Sequence, residues 1–177
     1  EVAGIMGLDG KLFFEDMKYV DTGAVIDYGT GDFSVSFTAV RSEFGLNIVL
    51  GDGNTTNSWI FRFTTTAKAW GMRDGSSAFH QASMDADFPL NTTGEFTVTR
   101  ASDVVSLTLN GVVQVGTISL APTDAFSWSS IGARGAGTND PYLGAIYDIS
   151  DHLGNTWDGT EVDALSNGWT PSGTFLT

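Results

Sequence analysis

Two short segments combine Asp, Asn and Gly in a way that suits a calcium ion. Asp52 and Asn54 lie in a Gly-Asp-Gly-Asn run, and Asn139 and Asp140 lie directly before a proline. Calcium takes hard oxygen ligands from carboxylates, amides and backbone carbonyls of a compact loop. The same residue types are common turn formers, so an ordinary turn explains the composition equally well. Both interpretations stay open, with these four residues as candidate metal ligands and calcium as the candidate ion.

A tryptophan near the middle of the chain is the candidate platform for a sugar ring. A sugar presents hydroxyls at its edge and C–H groups on its face, so its site needs a flat aromatic ring beside polar partners. Trp70 lies between Ala69 and Gly71 in a predicted strand. If these two small residues face the interior, the indole is exposed on the sheet surface. In the opposite register Trp70 is a core residue and Lys68 covers its edge.

An arginine and a tyrosine complete the candidate ligand-binding residues. Arg134 follows an Ile-Gly-Ala run, and Tyr142 lies a short distance further along the chain. The planar guanidinium of an arginine donates two parallel hydrogen bonds to a sugar or to a carboxylate. Pairing of Arg134 with a surface aspartate is an equally simple interpretation, because acidic residues greatly outnumber basic ones.

Nucleophilic and metal-based catalysis have little support in the sequence. The chain has no cysteine, and neither His80 nor His152 belongs to a His-Glu-x-x-His motif; no Gly-x-Ser-x-Gly elbow is present either. We therefore expect both histidines on the surface. Asp85 and Asp87 form a carboxylate pair, but the Phe-Pro that follows them favours a solvated turn.

Charge and hydropathy exclude two classes of partner. Eight Lys and Arg residues stand against 21 Asp and Glu residues, which gives a formal net charge of −13. Phosphate backbones and anionic lipids repel such a chain, so we expect no nucleic-acid partner. No apolar run approaches the roughly 18 residues of a membrane span, so we expect no membrane insertion. Glycans, cations, proteins and small ligands remain.

Alternating apolar and small polar residues predict an all-β chain. The clearest predicted strand spans 33–40, and Asn110-Gly111 between two alternating runs predicts a hairpin with a type I′ turn. One short helix is predicted at 160–165, where Val162 and Leu165 share a face. Further strands are predicted at 46–50, 58–63, 68–72, 95–99, 104–109, 112–115, 118–120 and 142–149.

The predicted elements lead to a β-sandwich. A sheet with one apolar face must be covered, and one short helix cannot cover it, so a second sheet is the simplest solution. The length of 177 residues suits a single domain, residues 1–177, and no linker or repeat divides it. We therefore predict two antiparallel sheets in one domain.

Three collinear stretches carry a resemblance to a known family. They are a Tyr-Val-Asp-Thr-Gly run at 19–23 before the strand at 31–37, the pair 96–100 and 105–111 that ends in Asn-Gly, and Ile-Gly-Ala-Arg at 131–134 before Tyr-x-Gly-x-Ile-x-Asp-Ile at 142–149. Together they resemble the laminin G-like branch of the concanavalin A-like lectin and glucanase jelly rolls. The resemblance covers about residues 19–150.

This resemblance implies a twisted jelly roll of two sheets. Its members are non-catalytic binders of glycans or proteins, some with a calcium ion at the rim, and its relatives include glycoside hydrolases. Residues 151–177 depart from the pattern and form an unassigned C-terminal extension with Trp157 and Trp169. The extension is expected either to wrap the sandwich or to dock onto a partner.

A partial glycosidase motif lies in the extension. Glu161-Val-Asp163 resembles the start of the Glu-x-Asp-x-x-Glu signature of laminarinase-like glycosidases, but Ser166 stands where the last Glu belongs. Retaining hydrolysis needs two carboxyl groups about 5 Å apart, one as nucleophile and one as acid. The segment equally indicates a capped helical turn. We therefore expect no enzyme.

Two functions remain. The first is a non-catalytic carbohydrate-binding module of a larger secreted, cell-surface or virion protein, with a glycan as its partner. The alternative is a structural or assembly domain of a phage tail, fibre or capsid-decoration protein that contacts other protein subunits. The alternative predicts an apolar patch for a neighbouring subunit, with Trp157 and Trp169 as its candidates.

Overall fold

The predicted two-sheet antiparallel sandwich is confirmed by the computed structural model, which describes residues 10–14, 18–52, 60–73, 78–133 and 141–172. The strands are numbered along the chain. The eight-stranded sheet contains β1 (Phe13–Phe14), β3 (Phe33–Arg41), β8 (Thr93–Ala101), β9 (Val104–Leu109), β10 (Val112–Val113), β11 (Ile118–Ser119), β13 (Gly144–Asp151) and β14 (Thr156–Trp157). The seven-stranded sheet contains β2 (Tyr19–Asp27), β4 (Asn47–Gly51), β5 (Ile60–Phe63), β6 (Ala69–Arg73), β7 (Phe79–Ser83), β12 (Ser127–Ile131) and β15 (Thr170–Ser172).

Most strands pair with partners that are distant in sequence. The eight-stranded sheet has the hydrogen-bonded order β1-β13-β3-β8-β9-β10, with β11 also beside β9 and β14 also beside β13. The seven-stranded sheet has the order β15-β2-β12-β4-β5-β6-β7. Both sheets combine strands from the two halves of the chain, so neither sheet is complete until the halves meet.

The predicted alternation in β3 is confirmed. Phe33, Val35 and Phe37 are buried between the sheets, whereas Ser34 and Ser36 are only partly buried on the opposite side. This strand pairs with β8 along its length without a register shift. The unbroken β3–β8 pair therefore holds the outward residues of both strands in straight rows.

The core between the sheets is mainly aromatic. Phe37 and Phe96 of the eight-stranded sheet stack with ring centroids 5.4 Å apart. Phe61 and Phe63 of the opposite sheet pack against Phe37 at 5.6 and 6.4 Å. Full burial of one such side chain stabilises the fold by about 1.5–3 kcal/mol, so this cluster is a main source of stability.

A buried arginine closes the core at the end of β3. Arg41 is completely buried, and its guanidinium donates hydrogen bonds to the carbonyl oxygens of Thr64, Thr66 and Phe88 at 2.7–3.3 Å. Its guanidinium carbon also lies 4.8 Å from the ring centroid of Phe88. Burial lowers the pKa of Arg41. No carboxylate pairs with it in the described part of the chain, so carbonyls and aromatic rings hold the cation.

A second buried arginine lies at the end of β8 and is held differently. Arg100 donates to the carboxylate of Asp103 at 2.6 Å and to the carbonyls of Ala121 and Asp124. Because β3 and β8 are antiparallel, the two arginines lie at opposite ends of the sandwich. The side chain of Arg41 joins the end of β3 to a loop, and that of Arg100 joins the end of β8 to a loop.

The predicted hairpin is also confirmed. Asn110 and Gly111 have φ values of 50° and 78°, as a type I′ turn requires, and Val112 pairs with Leu109. Another tight turn of this kind joins β8 to β9, with Ser102 and Asp103 at φ 47° and 66°. Both ends of β9 are thus set by turns with positive φ.

The C-terminal segment is part of the sandwich as far as it is described. β14 pairs with β13, β15 pairs with β2, and α1 (Glu161–Ser166) lies between them. Trp157 and Trp169 are buried, with ring centroids 6.4 Å apart. The prediction that these tryptophans form a patch for a neighbouring subunit is therefore wrong: they complete the chain's own core.

The short helix predicted at 160–165 is confirmed as α1. The hydroxyl of Thr160 accepts a hydrogen bond from the backbone N–H of Asp163 and caps the helix. Val162 and Leu165, which were predicted to share a face, are 79% and 58% exposed, and the buried residue of the helix is Ala164.

Candidate functional site

The outer side of the eight-stranded sheet carries a continuous set of Ser and Thr side chains. They are the alternate residues of strands whose other residues fill the core, and pairing places Ser150, Ser36, Thr97 and Thr108 in one row across four strands. We call this surface the hydroxyl face. Its members are Ser34, Ser36, Thr38, Thr97, Thr99, Ser106, Thr108 and Ser150.

A cavity of about 340 Å³ lies on the hydroxyl face. It is lined by four Ser and Thr residues, two acidic residues, two phenylalanines and the glycine of the hairpin turn. The lining residues are Ser36, Phe37, Thr38, Glu95, Phe96, Thr97, Thr108, Gly111 and Asp148. All of them are described in the structure, and none is basic.

The hydroxyls on the floor differ in how far they are already used. Ser36 Oγ and Thr97 Oγ1 are hydrogen-bonded to each other at 2.8 Å. Thr38 as a whole residue is only 9% exposed, and within the described residues its hydroxyl has no hydrogen-bond partner. The hydroxyl oxygen is not among the fully buried unpaired atoms, and Thr38 lines the cavity, so this oxygen can bond with a group that enters.

Glu95 reaches the cavity from β8 and is positioned by the hairpin turn. Its backbone N–H donates to Asn110 Oδ1 at 2.9 Å, and its carbonyl accepts from the Asn110 N–H at 2.8 Å. The side chain is exposed, and among the described residues no cation or donor pairs with its carboxylate. The backbone of Glu95 is therefore held firmly while its carboxylate remains available.

Asp148 reaches the cavity from a bulge in β13. The pairing of β13 with β3 shifts register between Tyr147 and Ser150, and Asp148 has a φ of 50°. Bulges re-aim side chains, and a non-glycine residue with positive φ is uncommon. Lys11 Nζ lies 3.9 Å from its carboxylate, and this side chain of Asp148 is 58% exposed. The bulge thus presents a second carboxylate beside the hydroxyls.

Lys11 is itself held away from the cavity by other contacts. Its ammonium donates to the carbonyl oxygen of Asp158 at 2.5 Å and lies 5.7 Å from the ring centroid of Tyr147. The carbonyl bond is much shorter than the 3.9 Å approach to Asp148. Lys11 therefore only weakly neutralises the charge of Asp148.

Solved structures share this architecture over nearly the whole chain. The native heptameric SAP-like pentraxin from Limulus polyphemus aligns with a TM-score of 0.70 and 10% identity, and the match covers 94% of this chain and 93% of that one. The mouse laminin alpha1 chain, domains LG4-5, aligns with a TM-score of 0.59 and 11% identity over 84% of this chain and 42% of that one. The chain has the concanavalin A-like jelly-roll fold.

A third jelly roll of known structure was solved with a sugar. The CBM40 of the Ruminococcus gnavus IT-sialidase, bound to α2,3-sialyllactose, aligns with a TM-score of 0.52 and 12% identity over 88% of this chain and 98% of that one. No protein-family model matches the sequence, and no match is found among the curated proteins. At these identities the comparisons establish the fold of this jelly roll.

Two of the residues predicted to bind ligand are buried in the jelly roll. Trp70 is completely buried, with its ring centroid 5.9 Å from that of Phe61, so the exposed platform is wrong and the core alternative is correct. Tyr142 is also completely buried, edge-on to Phe14 at 6.4 Å, and burial raises its pKa. Neither side chain is accessible to a glycan.

The remaining predicted ligands are mostly outside the described residues, as is the case for Arg134, Asn54, Asn139 and Asp140. Asp52 is described, and its carboxylate accepts a hydrogen bond from Ser127 Oγ. Asp52 follows the end of β4 and lies beside the start of β12. In the sequence, the other two candidate metal ligands, Asn139 and Asp140, come after the end of β12. The described residues contain no group of three acidic or histidine side chains suited to a metal.

The catalytic motifs considered in the sequence are used for structure. Asp163 lies in the first turn of α1, and its carboxylate accepts a hydrogen bond from the N–H of Asp158 at 2.8 Å. Neither Asp163 nor Glu161 lines the cavity. Asp85 and Asp87 are exposed in a turn, as predicted. His152 is exposed and His80 is half-buried.

The sequence analysis did not identify the hydroxyl face or its two carboxylates. The alternation that predicts β3 also marks Ser34, Ser36 and Thr38 as outward residues, and it is the only signal that they share a surface. Glu95 is outward by the same rule in β8. Asp148 could not be placed, because the bulge that re-aims it has no marker in the sequence.

No helix in the described residues has the length and the apolar character needed to cross a membrane.

Proposed function

We propose that this chain is a non-catalytic carbohydrate-binding module that holds a glycan in the cavity on the hydroxyl face. The observation that carries the proposal is the cavity itself, with its floor of hydroxyls and its two carboxylates. Sugar hydroxyls both donate and accept hydrogen bonds, as Ser and Thr hydroxyls do. The cavity volume lies at the small end of the range of about 300–1,000 Å³ typical of ligand sites.

The fold supports this proposal by analogy. A structural neighbour with the same jelly roll is a carbohydrate-binding module that was solved with a bound oligosaccharide. Fold alone does not determine function. The proposal therefore depends on the cavity, and the neighbour adds only the support of a shared fold.

Binding without hydrolysis agrees with the surroundings of the two carboxylates. A general acid in glycoside hydrolysis typically lies in an apolar environment that favours its protonated form. Glu95 is exposed, and the Asp148 side chain is 58% exposed beside Lys11. We therefore assign both carboxylates to recognition of the ligand.

Calcium and cellular context complete the proposal. Asp52 with Asn54, or Asn139 with Asp140, would supply the hard oxygen ligands that calcium takes. We propose that the module belongs to a larger secreted, cell-surface or virion protein, where it would meet glycans.

A glycan array probed in calcium and again in chelator tests the proposal. Selective binding is expected, and the double variant Thr38→Val with Thr108→Val, which replaces two cavity hydroxyls by methyl groups, should abolish it. Thr170→Val is the matched control, because Thr170 is exposed on the other sheet. Absence of binding to every glycan in both conditions would contradict the function. Loss of binding in chelator alone would support the calcium proposal.

One observation favours assembly with other protein subunits as a second candidate function. Val112, Val113 and Val115 are 62%, 64% and 72% exposed, and β10 is the edge strand of its sheet. Exposed apolar edge strands pair readily with another chain, here a second copy through β10. Sedimentation velocity should then show a dimer that Val113→Lys dissociates, whereas a monomer at all concentrations would reject this function.

A further inference from the structure

We infer that the cavity selects glycans that carry a protonated amine, such as oligosaccharides of unacetylated glucosamine, and discriminates against anionic glycans. This inference rests on the proposed function and names the substrate class of that same site. It follows from four features of the cavity in the described part of the chain: one unpaired carboxylate, one weakly paired carboxylate, an unpaired hydroxyl on a residue that is only 9% exposed, and a lining without basic residues.

The first feature is Glu95. Its backbone is fixed by two hydrogen bonds with Asn110, and no group in the described residues neutralises its carboxylate. A carboxylate accepts hydrogen bonds and donates none, so a neutral sugar hydroxyl can only donate to it. An ammonium group donates up to three hydrogen bonds and also supplies the opposite charge, so it satisfies Glu95 better.

The second feature is Asp148, which lines the same cavity. Its one cationic contact in the described residues is Lys11 Nζ at 3.9 Å, the outer limit of an ion pair, while that ammonium bonds to the carbonyl of Asp158 at 2.5 Å. A ligand amine that enters the cavity therefore meets a second carboxylate whose charge is only partly compensated. Two carboxylates on one small cavity attract cations more strongly than either does alone.

The third feature shows that the cavity is more than an acidic patch. Thr38 is over nine-tenths buried at its floor, and its hydroxyl has no partner in the described part of the chain. Thr38 lies opposite Glu95 in the β3–β8 pairing. A glucosamine residue has both groups that this pair requires: a hydroxyl for Thr38 and, on the neighbouring carbon, an ammonium for Glu95.

The fourth feature distinguishes this cavity from a site for acidic sugars. A carboxylate or sulfate on a glycan would approach Glu95 and Asp148 with no basic lining residue to offset the repulsion. The net charge of −13 adds to that repulsion at low ionic strength. Sialyllactose, the sugar bound by one structural neighbour, should therefore bind poorly here.

The experiment compares three sugars by isothermal titration calorimetry with the whole chain. They are chitotriose, with three free amines; triacetylchitotriose, with the same backbone and no charge; and α2,3-sialyllactose. We expect chitotriose to bind about fivefold to tenfold more tightly than its acetylated counterpart, because exposed ion pairs contribute only modestly to affinity. The preference should shrink as salt is raised, and sialyllactose should show no binding.

Charge-neutral variants locate the effect. Glu95→Gln and Asp148→Asn keep the size of each side chain, and asparagine tolerates the positive φ at 148. Each should reduce the preference for chitotriose to about twofold while binding of triacetylchitotriose stays unchanged. Glu43→Gln is the matched control, because Glu43 is exposed outside the cavity. n-Propylamine, an amine without a sugar, should not compete with chitotriose.

The outcomes separate this inference from the proposed function. Equal binding of chitotriose and its acetylated form, both lost in Thr38→Val with Thr108→Val, overturns the amine selectivity and leaves the glycan site intact. Preferential binding of sialyllactose also overturns it. A chitotriose preference that Glu43→Gln reduces as much as Glu95→Gln would show a general effect of net charge and contradict the inference. Failure of every sugar, here and on the array, overturns the proposed function itself.

Discussion

The two sides of the eight-stranded sheet use the same strands for different purposes. On the inner side Phe37 stacks on Phe96 across the β3–β8 pair, with ring centroids 5.4 Å apart. One residue earlier on β3 and one later on β8, Ser36 and Thr97 face outward and share a hydrogen bond of 2.8 Å. Neighbouring residues of one strand thus belong to the core and to the cavity.

Under the proposed function, this arrangement separates stability from recognition. The inner residues remove large aromatic areas from water, which is the main stabilising contribution in a fold of this size. The outer residues are small and polar, so they contribute little to stability and can vary with the ligand. A jelly roll built in this way keeps its core while its outer face evolves.

The largest predicted effect comes from the inner side. Phe37→Ala removes a fully buried ring from the aromatic cluster and should lower the free energy of unfolding by about 3–5 kcal/mol. Urea denaturation monitored by tryptophan fluorescence measures this change. Glycan affinity should persist at temperatures where the variant remains folded. A loss below about 1 kcal/mol would show that the sheets do not meet at Phe37.

The second-largest predicted effect comes from Arg41, which closes the core at the end of β3. Arg41→Met keeps much of the volume but leaves the carbonyls of Thr64, Thr66 and Phe88 without their donors. Each unsatisfied carbonyl costs about 1–3 kcal/mol, partly recovered through water, so we expect a loss of about 2–4 kcal/mol by chemical denaturation.

Arg41→Lys is the informative companion of that variant. A lysine keeps the charge but cannot bond in the plane of three carbonyls, so it should recover less than half of the loss. Full recovery would mean that the charge, and not the fork of hydrogen bonds, holds the end of the core.

The turn between β9 and β10 affects both the stability of the sheet and the position of Glu95 at the cavity. Its substitution should have an intermediate effect on stability. Asn110→Ala places alanine at a φ of 50° and removes the acceptor for the Glu95 N–H. The left-handed conformation alone costs about 1–2 kcal/mol for a residue with a side chain, although asparagine tolerates it. We expect about 1–2 kcal/mol of lost stability, together with weaker chitotriose binding because Glu95 is less well positioned. Asn110→Gly, which relieves the strain, should restore most of the stability but not the binding.

The fold was largely predictable because its signals are local. Alternation marks a strand directly, and a type I′ turn requires residues that accept positive φ, as Asn110 and Gly111 do. The order of the strands is a different matter, because β13 lies between β1 and β3 through contacts between distant parts of the chain. No local pattern encodes that order, and the family resemblance indicated only a jelly roll of two sheets.

The site was less predictable because alternation does not say which side faces inward. Trp70 was ambiguous for this reason, and the structure supplies the missing contact: a Cβ at Gly71 would lie 2.4 Å from the ring of Phe79. The outward position must be glycine because Phe79 of the neighbouring strand covers it, so Trp70 faces the core. The hydroxyl face was also not predictable from local patterns. Ser36, Thr97 and Thr108 form a row only after three strands pair in one register.

The smallest effect on stability tests the comparison most directly. Ser36→Ala and Thr97→Val each remove one partner of the 2.8 Å hydrogen bond, next to the two phenylalanines of the inner stack. A cross-strand pair of this kind contributes about 0.2–1 kcal/mol, and valine favours strands, so each variant should lose at most about 0.5 kcal/mol. Affinity for chitotriose should nevertheless fall severalfold, because both hydroxyls line the cavity. A double-mutant cycle over the two positions, measured by denaturation and by calorimetry, isolates the coupling in each property. If the variants weaken stability as much as Phe37→Ala, or leave affinity unchanged, the division of labour between the two sides is wrong.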